Sequence, residues 1–419
     1  MSTTLIRNIA QLVQVEERTS LRRSPRRGAD LQILPSLSNA WLLIDGEIIR
    51  DFGPMSECPE RADHIIDANN RMVFPTWCDS HSHLVFAGSR EQEFVYRIQG
   101  LSYAEIAQKG GGILNSAKRL RATPEEVLYE QAWQRLEQVK AYGTGALEIK
   151  SGYGLSYESE LKILRVIRRL KENSAVAIKA TFLGAHALPL AFREQRAAYL
   201  DLLIHQLLPQ IADEGLADYI DVFCEKGFYS VEEAERIMVA GQKFGLKAKI
   251  HTNQFNCLGG IEAAIRQNAL SVDHLEVVNA QELAALAASD TIATLLPSAP
   301  FFLNDHYPPA RQMIDANLAL ALASDYNPGT TPSGRMAFVL SLACIKLKML
   351  PEEAINAATI NGAFAMELAA SHGSIAKGKV ANLFLTAPMP SLAYLPYAFG
   401  DDLVETVLLK GKITDKARD

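Results

Sequence analysis

The chain has 419 residues, 48% of them hydrophobic and 21% charged, with a formal net charge of −6. This is the composition of an ordinary soluble globular protein; the length predicts one large domain with a smaller companion, and the acidic balance excludes general attraction to nucleic acid or to anionic ligands. No apolar run reaches 18 residues and the start, MSTTLIRNIAQLV, lacks the basic region and apolar core of a secretion signal, so a cytoplasmic protein without a membrane partner is expected.

In chain order, the cluster Arg22, Arg23, Arg26 and Arg27 contains Pro and Gly and no interleaved aromatics, which predicts a solvated loop rather than a nucleic-acid patch. NAWLLIDGEIIRDFGP follows, two strand-like runs joined by Asp45-Gly46, a hairpin signal. From Met72 onward short β-branched runs alternate with amphipathic stretches, the pattern of βα units around a parallel sheet. Eight strands are predicted, at VFPTWCDSH, ALEIKSGYG, AIKATFLGAH, YIDVFCEKG, AKIHTNQF, LSVDHLEV, TIATLLPSA and LALASDYNPG. Between the first two, PEEVLYEQAWQRLEQVKAYG reads as a helix with Thr123 as N-cap, Pro124 at N1 and Gly143 as its stop. Eight such units fit an α/β fold of the (β/α)8 barrel type, residues 72–377. The tail resumes strand character at VANLFLTAP and LVETVLLKGKIT, so residues 1–71 and 378–419 are expected to form a small composite β-sandwich. Five scattered cysteines without CxxC spacing predict free, mostly buried thiols.

The polar residues fall at the strand ends. His81 and His83 close the first strand, and alternation sends residues i and i+2 to one face, so both rings can reach one cation. His186 closes the third, His251 the fifth, His274 the sixth and Asp325 the eighth, all at the C-terminal ends where barrel active sites are built. Asp325 also fits a helix N-cap. His64, His205, His306 and His372 fit no such pattern.

This arrangement, His81-Ser82-His83 with single histidines on strands five and six and Ser324-Asp325 on strand eight, resembles the amidohydrolase superfamily of metal-dependent hydrolases. The likeness runs through nearly the whole chain and includes HLVFAGSRE from His83, Gly110-Gly111-Gly112-Ile113, EIKSGYGL from Glu148, FLGAH from Phe182 and SDYNPG from Ser324. It implies one zinc or iron ion per subunit, held by His81, His83, His251 and Asp325, a donor set that suits a borderline cation. A cation there brings the pKa of water from 15.7 to about 7, and Asp325 stands as proton acceptor. His274 is left as either a base or an oxyanion donor. A bridging role for Glu225 in a binuclear site is the alternative to a single ion.

The resemblance further implies hydrolysis of a cyclic amide, the ring of 4-imidazolone-5-propanoate, with an aromatic deaminase or a non-catalytic scaffold on the same barrel as rivals. Arg90 offers a fork to a carboxylate or ring carbonyl, against a surface pairing with Glu91 or Glu93. Tyr103, Tyr153 and His186 are expected to bind substrate, although packing also accounts for the tyrosines. Gln254 suits a ring amide or amidine and stands against a deaminase, which commonly places Glu there. Asn327, Gly329 and Thr330 offer backbone N–H groups and a hydroxyl, against a simple turn. The glycine run from Gly110 is not a phosphate motif and reads as a lid. The expected partners are a small-molecule substrate and a second copy in a homodimer.

Overall fold

The computed structural model describes residues 2–16, 22–101, 105 and 111–414. The flanks supply β1 (Thr3–Val13), β2 (Ser36–Asp45), β3 (Ile48–Pro54), β4 (His64–Asp67) and β5 (Met72–Pro75). The eight barrel strands are β6 (Trp77–Asp79), β7 (Thr144–Lys150), β8 (Ala177–Ala185), β9 (Tyr219–Cys224), β10 (Lys247–Thr252), β11 (Ser271–His274), β12 (Ile292–Leu295) and β13 (Leu320–Leu322). The tail adds β14 (Leu383–Thr386), β15 (Val404–Leu409) and β16 (Lys412–Ile413).

β6 to β13 pair in chain order, in parallel, into a nearly closed barrel. Its two end strands meet beyond their ladders. Asp325 N–H donates to the His81 carbonyl at 2.9 Å and His83 N–H to the Tyr326 carbonyl at 2.8 Å. Ser324 donates through its backbone N–H (2.9 Å) and hydroxyl (2.6 Å) to the buried Asp79 carboxylate. Closure thus lies beside the residues of the expected site, and it fixes them relative to one another.

The flanks build a mixed eight-stranded sheet, ordered β16-β15-β14-β5-β1-β2-β3 with β4 beside β1. The run expected as one strand from Val73 to His81 is therefore two. Pro75 has no N–H for a barrel ladder, and Met72 to Pro75 pair with β1 and β14, while the barrel begins at Trp77. Phe74 stacks on Phe384 at 5.1 Å and Trp77 tilts against Phe384 at 4.9 Å, so the sheet and barrel share apolar packing. Ile6, Ile9, Leu42, Val73, Leu383 and Leu408 form the sheet's own core.

Three local expectations need correction. Thr123 does not cap the helix Glu125–Ala141, because its hydroxyl donates at 2.8 Å to Arg119 in the last turn of the preceding helix, Ile113–Ala122. Gly143 does end the later helix, at φ +90°. The arginine cluster is not a solvated loop: Arg22 and Arg26 pair with Asp30 at 2.5 and 2.9 Å, Arg26 is buried, and Arg27 reaches Asp290 at 3.2 Å, fastening the segment to the barrel. Of the five free thiols only Cys78 and Cys224 are buried; Cys58 and Cys344 are half-buried and Cys257 is exposed.

Candidate active site

Alternation along the barrel strands explains what enters the interior. Leu147 and Ile149 of β7 pack with the apolar core, leaving Glu148 and Lys150 on the other face. In β10, Lys249 and His251 alternate in the same way with Ala248 and Ile250. In β11 alternation sends Asp273 inward and would send His274 outward. Instead the chain turns left-handed at His274 (φ +92°) and Leu275 (φ +68°), which brings the His274 ring to 5.4 Å from that of His251. Asp325 is left-handed too, at φ +54°. Strain of this kind persists where surrounding structure over-determines it, and functional sites are where it concentrates.

Five of the six strand-end groups converge. Asp325 Oδ1 lies 3.5 Å from His81 Nε2 and 3.6 Å from His83 Nε2, and the Nε2 atoms of His83 and His251 are 3.4 Å apart. Donor atoms of His81, His83 and Asp325 fall within 4.8 Å of one another, as do those of His81, His251 and His274. Burial holds His81 and His83 well below the ordinary histidine range and lowers His251 against the pull of Asp221, so all three rings are neutral, the state a metal requires. Among the described residues the buried His81 Nε2 has no hydrogen-bond partner, which leaves it available to a cation. The donor set fits. Burial pushes the Asp325 carboxyl up to about 7, and a divalent cation bound beside it would keep it ionised. His274 is raised to about 9: burial opposes the charge, but Glu276, 3.3 Å from Nδ1, and then Asp325 and Asp273 prevail.

Behind the imidazoles lies a layer of charges that sequence reasoning passed over. Asp273 Oδ2 sits 2.7 Å from His81 Nδ1 and Asp221 Oδ2 3.0 Å from His251 Nδ1. Lys150 contacts Glu148 (2.6 Å), Asp221 (2.8 Å) and Asp273 (3.5 Å), and Lys249 bonds the other oxygen of Glu148. The available signal was spacing by two: Glu148 with Lys150, Lys249 with His251, Ser271 with Asp273.

Above the cluster opens a cavity of about 170 Å³. Of the residues expected to bind substrate, Arg90, Tyr153, His186, Gln254, Asn327, Gly329 and Thr330 all line it; Tyr103 lies outside the described residues, as does Gly110 of the expected lid. Arg90 pairs with Glu93 at 2.5 Å and lines the cavity wall. His186 is pushed down to about 3 by burial and by His251. Its Nδ1 lies 3.2 Å from the Gly152 carbonyl, so a neutral ring donates there and keeps Nε2 as an acceptor. The Gln254 amide makes no hydrogen bond among the described residues. Arg97, Phe223, Phe228 and Phe255 also line the cavity and were missed; Phe223 stands two residues after Asp221 on the inward face.

Two groups are engaged within the protein itself. The Gly329 and Thr330 N–H groups both donate to Asn327 Oδ1, at 2.7 and 2.8 Å, so neither is open to a ligand. The Thr330 hydroxyl turns to Asp325 Oδ2 at 3.3 Å, and the turn braces the carboxylate instead. Glu225 is not part of the donor clusters found among the described residues. One of its oxygens accepts from the N–H groups of both Phe255 (2.9 Å) and Asn256 (3.3 Å), which anchors the loop carrying Gln254.

Comparison with known proteins agrees with this geometry. Residues 72–414 match the model of the amidohydrolase family. The chain is 58% identical to an imidazolonepropionase of Flavobacterium johnsoniae, covering 98% of this chain and 99% of that protein. It is 41% identical to one of Clostridium tetani over 93% of this chain and 94% of that protein. Among solved structures, guanine deaminase of E. coli superposes with a TM-score of 0.72 at 14% identity, covering all of both chains, a likeness of fold.

Proposed function

The chain belongs to the amidohydrolase family, and we propose that it opens the ring amide of 4-imidazolone-5-propanoate with water, giving N-formimidoyl-L-glutamate in histidine degradation. The observation that carries this reading is a single cavity with a floor of neutral imidazoles and a carboxylate and a wall bearing Arg90. The near-full-length identity with imidazolonepropionases names the substrate that such a cavity takes.

His81, His83, His251 and Asp325 would hold one zinc or iron ion, and the chemistry it supplies when bound is Lewis acidity, which acidifies water and polarises a carbonyl. The chain's own groups do the rest. Arg90 pairs with the propanoate, and His186 and Gln254 present an acceptor and an amide to the ring. Asp325 takes the proton of the attacking water as the new C–O bond forms, and His274 donates to the oxygen where negative charge gathers. The C–N bond of the ring amide then breaks and the proton on Asp325 passes to the leaving nitrogen.

A cytoplasmic homodimer is the accompanying expectation; among the described residues no helix is long and apolar enough to cross a membrane. The test is turnover of freshly prepared substrate, followed by loss of ring absorbance, with chelator-treated and metal-restored samples. Ring opening that is lost and restored with metal is expected. No turnover by metallated protein overturns the reading and directs attention to other cyclic amides and aminated heterocycles.

A further inference from the structure

Lys150 ends β7 two residues after Glu148, and both side chains are wholly buried inside the barrel. Its Nζ lies 2.8 Å from Asp221 Oδ2 and 3.5 Å from Asp273 Oδ2. These are the same two oxygens that face His251 Nδ1 at 3.0 Å and His81 Nδ1 at 2.7 Å. One ammonium therefore joins two carboxylate–imidazole pairs that reach it from different parts of the barrel, β9 with β10 on one side and β11 with the segment just past β6 on the other.

We propose that Lys150 is a positioning residue of the metal centre, clamping both pairs so that the Nε2 atoms of His81 and His251 converge on one point. The proposal rests on the reading of these imidazoles as metal ligands. Orientation of ligand imidazoles by outer carboxylates is worth about 10- to 100-fold in metal affinity, and here a single group sets two such orientations. Lysine suits the position because three carboxylates, the third being Glu148 at 2.6 Å, approach one nitrogen. A compact ammonium with three donors meets them, whereas the planar fork of arginine does not.

Lys249 supplies the control. It is as buried, it bonds the same Glu148, and its other partners are the carbonyls of Ser80 (3.2 Å) and Ala365 (3.4 Å); no ion pair joins it to Asp221 or Asp273 among the described residues. Removing it costs the fold a buried cation and leaves both imidazole chains intact.

The experiment measures zinc affinity of metal-free protein by competition with a chromophoric chelator, at a temperature where circular dichroism shows each variant folded. K150M is expected to weaken binding about 10- to 100-fold, K150R to restore little of it, and K249M to stay within about threefold of wild type. Wild-type affinity in K150M, or an equal loss in K249M, overturns the proposal. Should K150M not fold, D221N, D273N and the double variant decide: a shared clamp predicts that the two losses in affinity do not multiply, and simple multiplication overturns it. The ligand reading is tested apart, with H251A. If wild-type protein binds zinc no better than H251A does, the metal-site assignment fails, and the clamp with it, whatever K150M shows.

Discussion

Arg90 is held from two sides. Glu93 takes one end of its guanidinium, and the absence of a Cβ at Gly329 lets Nη1 lie where any other residue would put a carbon. Arg90→Gln is expected to raise KM by roughly tenfold or more, the loss of a charge-assisted hydrogen bond of about 1.5–3 kcal/mol, while metal content stays at the wild-type level. Gly329→Ala should shift the guanidinium and raise KM in the same direction; steady-state kinetics with metal analysis checks both. At this scale the inner groups were legible and the outer ones were not. His81, His83, His251 and Asp325 stand at strand ends, where position itself carries meaning. Asp221 and Asp273 are single acids inside apolar runs, and only the pairing of strands places them behind a histidine. Asn327 shows the converse: its residue type suggested a ligand contact, but its amide is used up within its own turn.

At the scale of the element, the loop after β10 depends on a neighbour. Glu225 at the end of β9 holds the Phe255 and Asn256 N–H groups, so Glu225→Ala releases both and frees Gln254 to wander. The expected outcome is a several-fold rise in KM with an unchanged metal stoichiometry by elemental analysis; a loss of metal would return Glu225 to the centre. The junction of the end strands makes a second prediction. Ser324→Ala removes the hydroxyl that donates to Asp79, whose carboxyl burial already pushes up to about 6, and should cost about 1–3 kcal/mol in denaturant unfolding. All eight barrel strands were readable because apolar runs alternate with amphipathic ones. The division between β5 and β6 was not, since nothing in VFPTWCDSH marks Thr76 as the point where the chain changes sheets.

For the molecule as a whole, His372 reports on the seam between sheet and barrel. Burial, with help from Lys379 and Lys410, lowers it to about 4. The folded state therefore disfavours the proton that the unfolded chain accepts near 6.5, and stability falls as pH drops from 6.5 toward 4, by up to about 1.4 kcal/mol per unit. His372→Gln is expected to flatten that part of the stability curve, measured by urea unfolding at pH 4.5 and 7. The same seam bears on how the chain is made. β5 has β1 on one edge and β14 on the other, and Val73 and its partner Leu385 are separated by roughly 300 residues of barrel. At about 5–20 residues per second, the nascent chain carries β5 with an open edge for roughly 15–60 s before its cover leaves the ribosome. An unpaired apolar strand is a site for wrong pairing, so β5 stays open to it until β14 has been made.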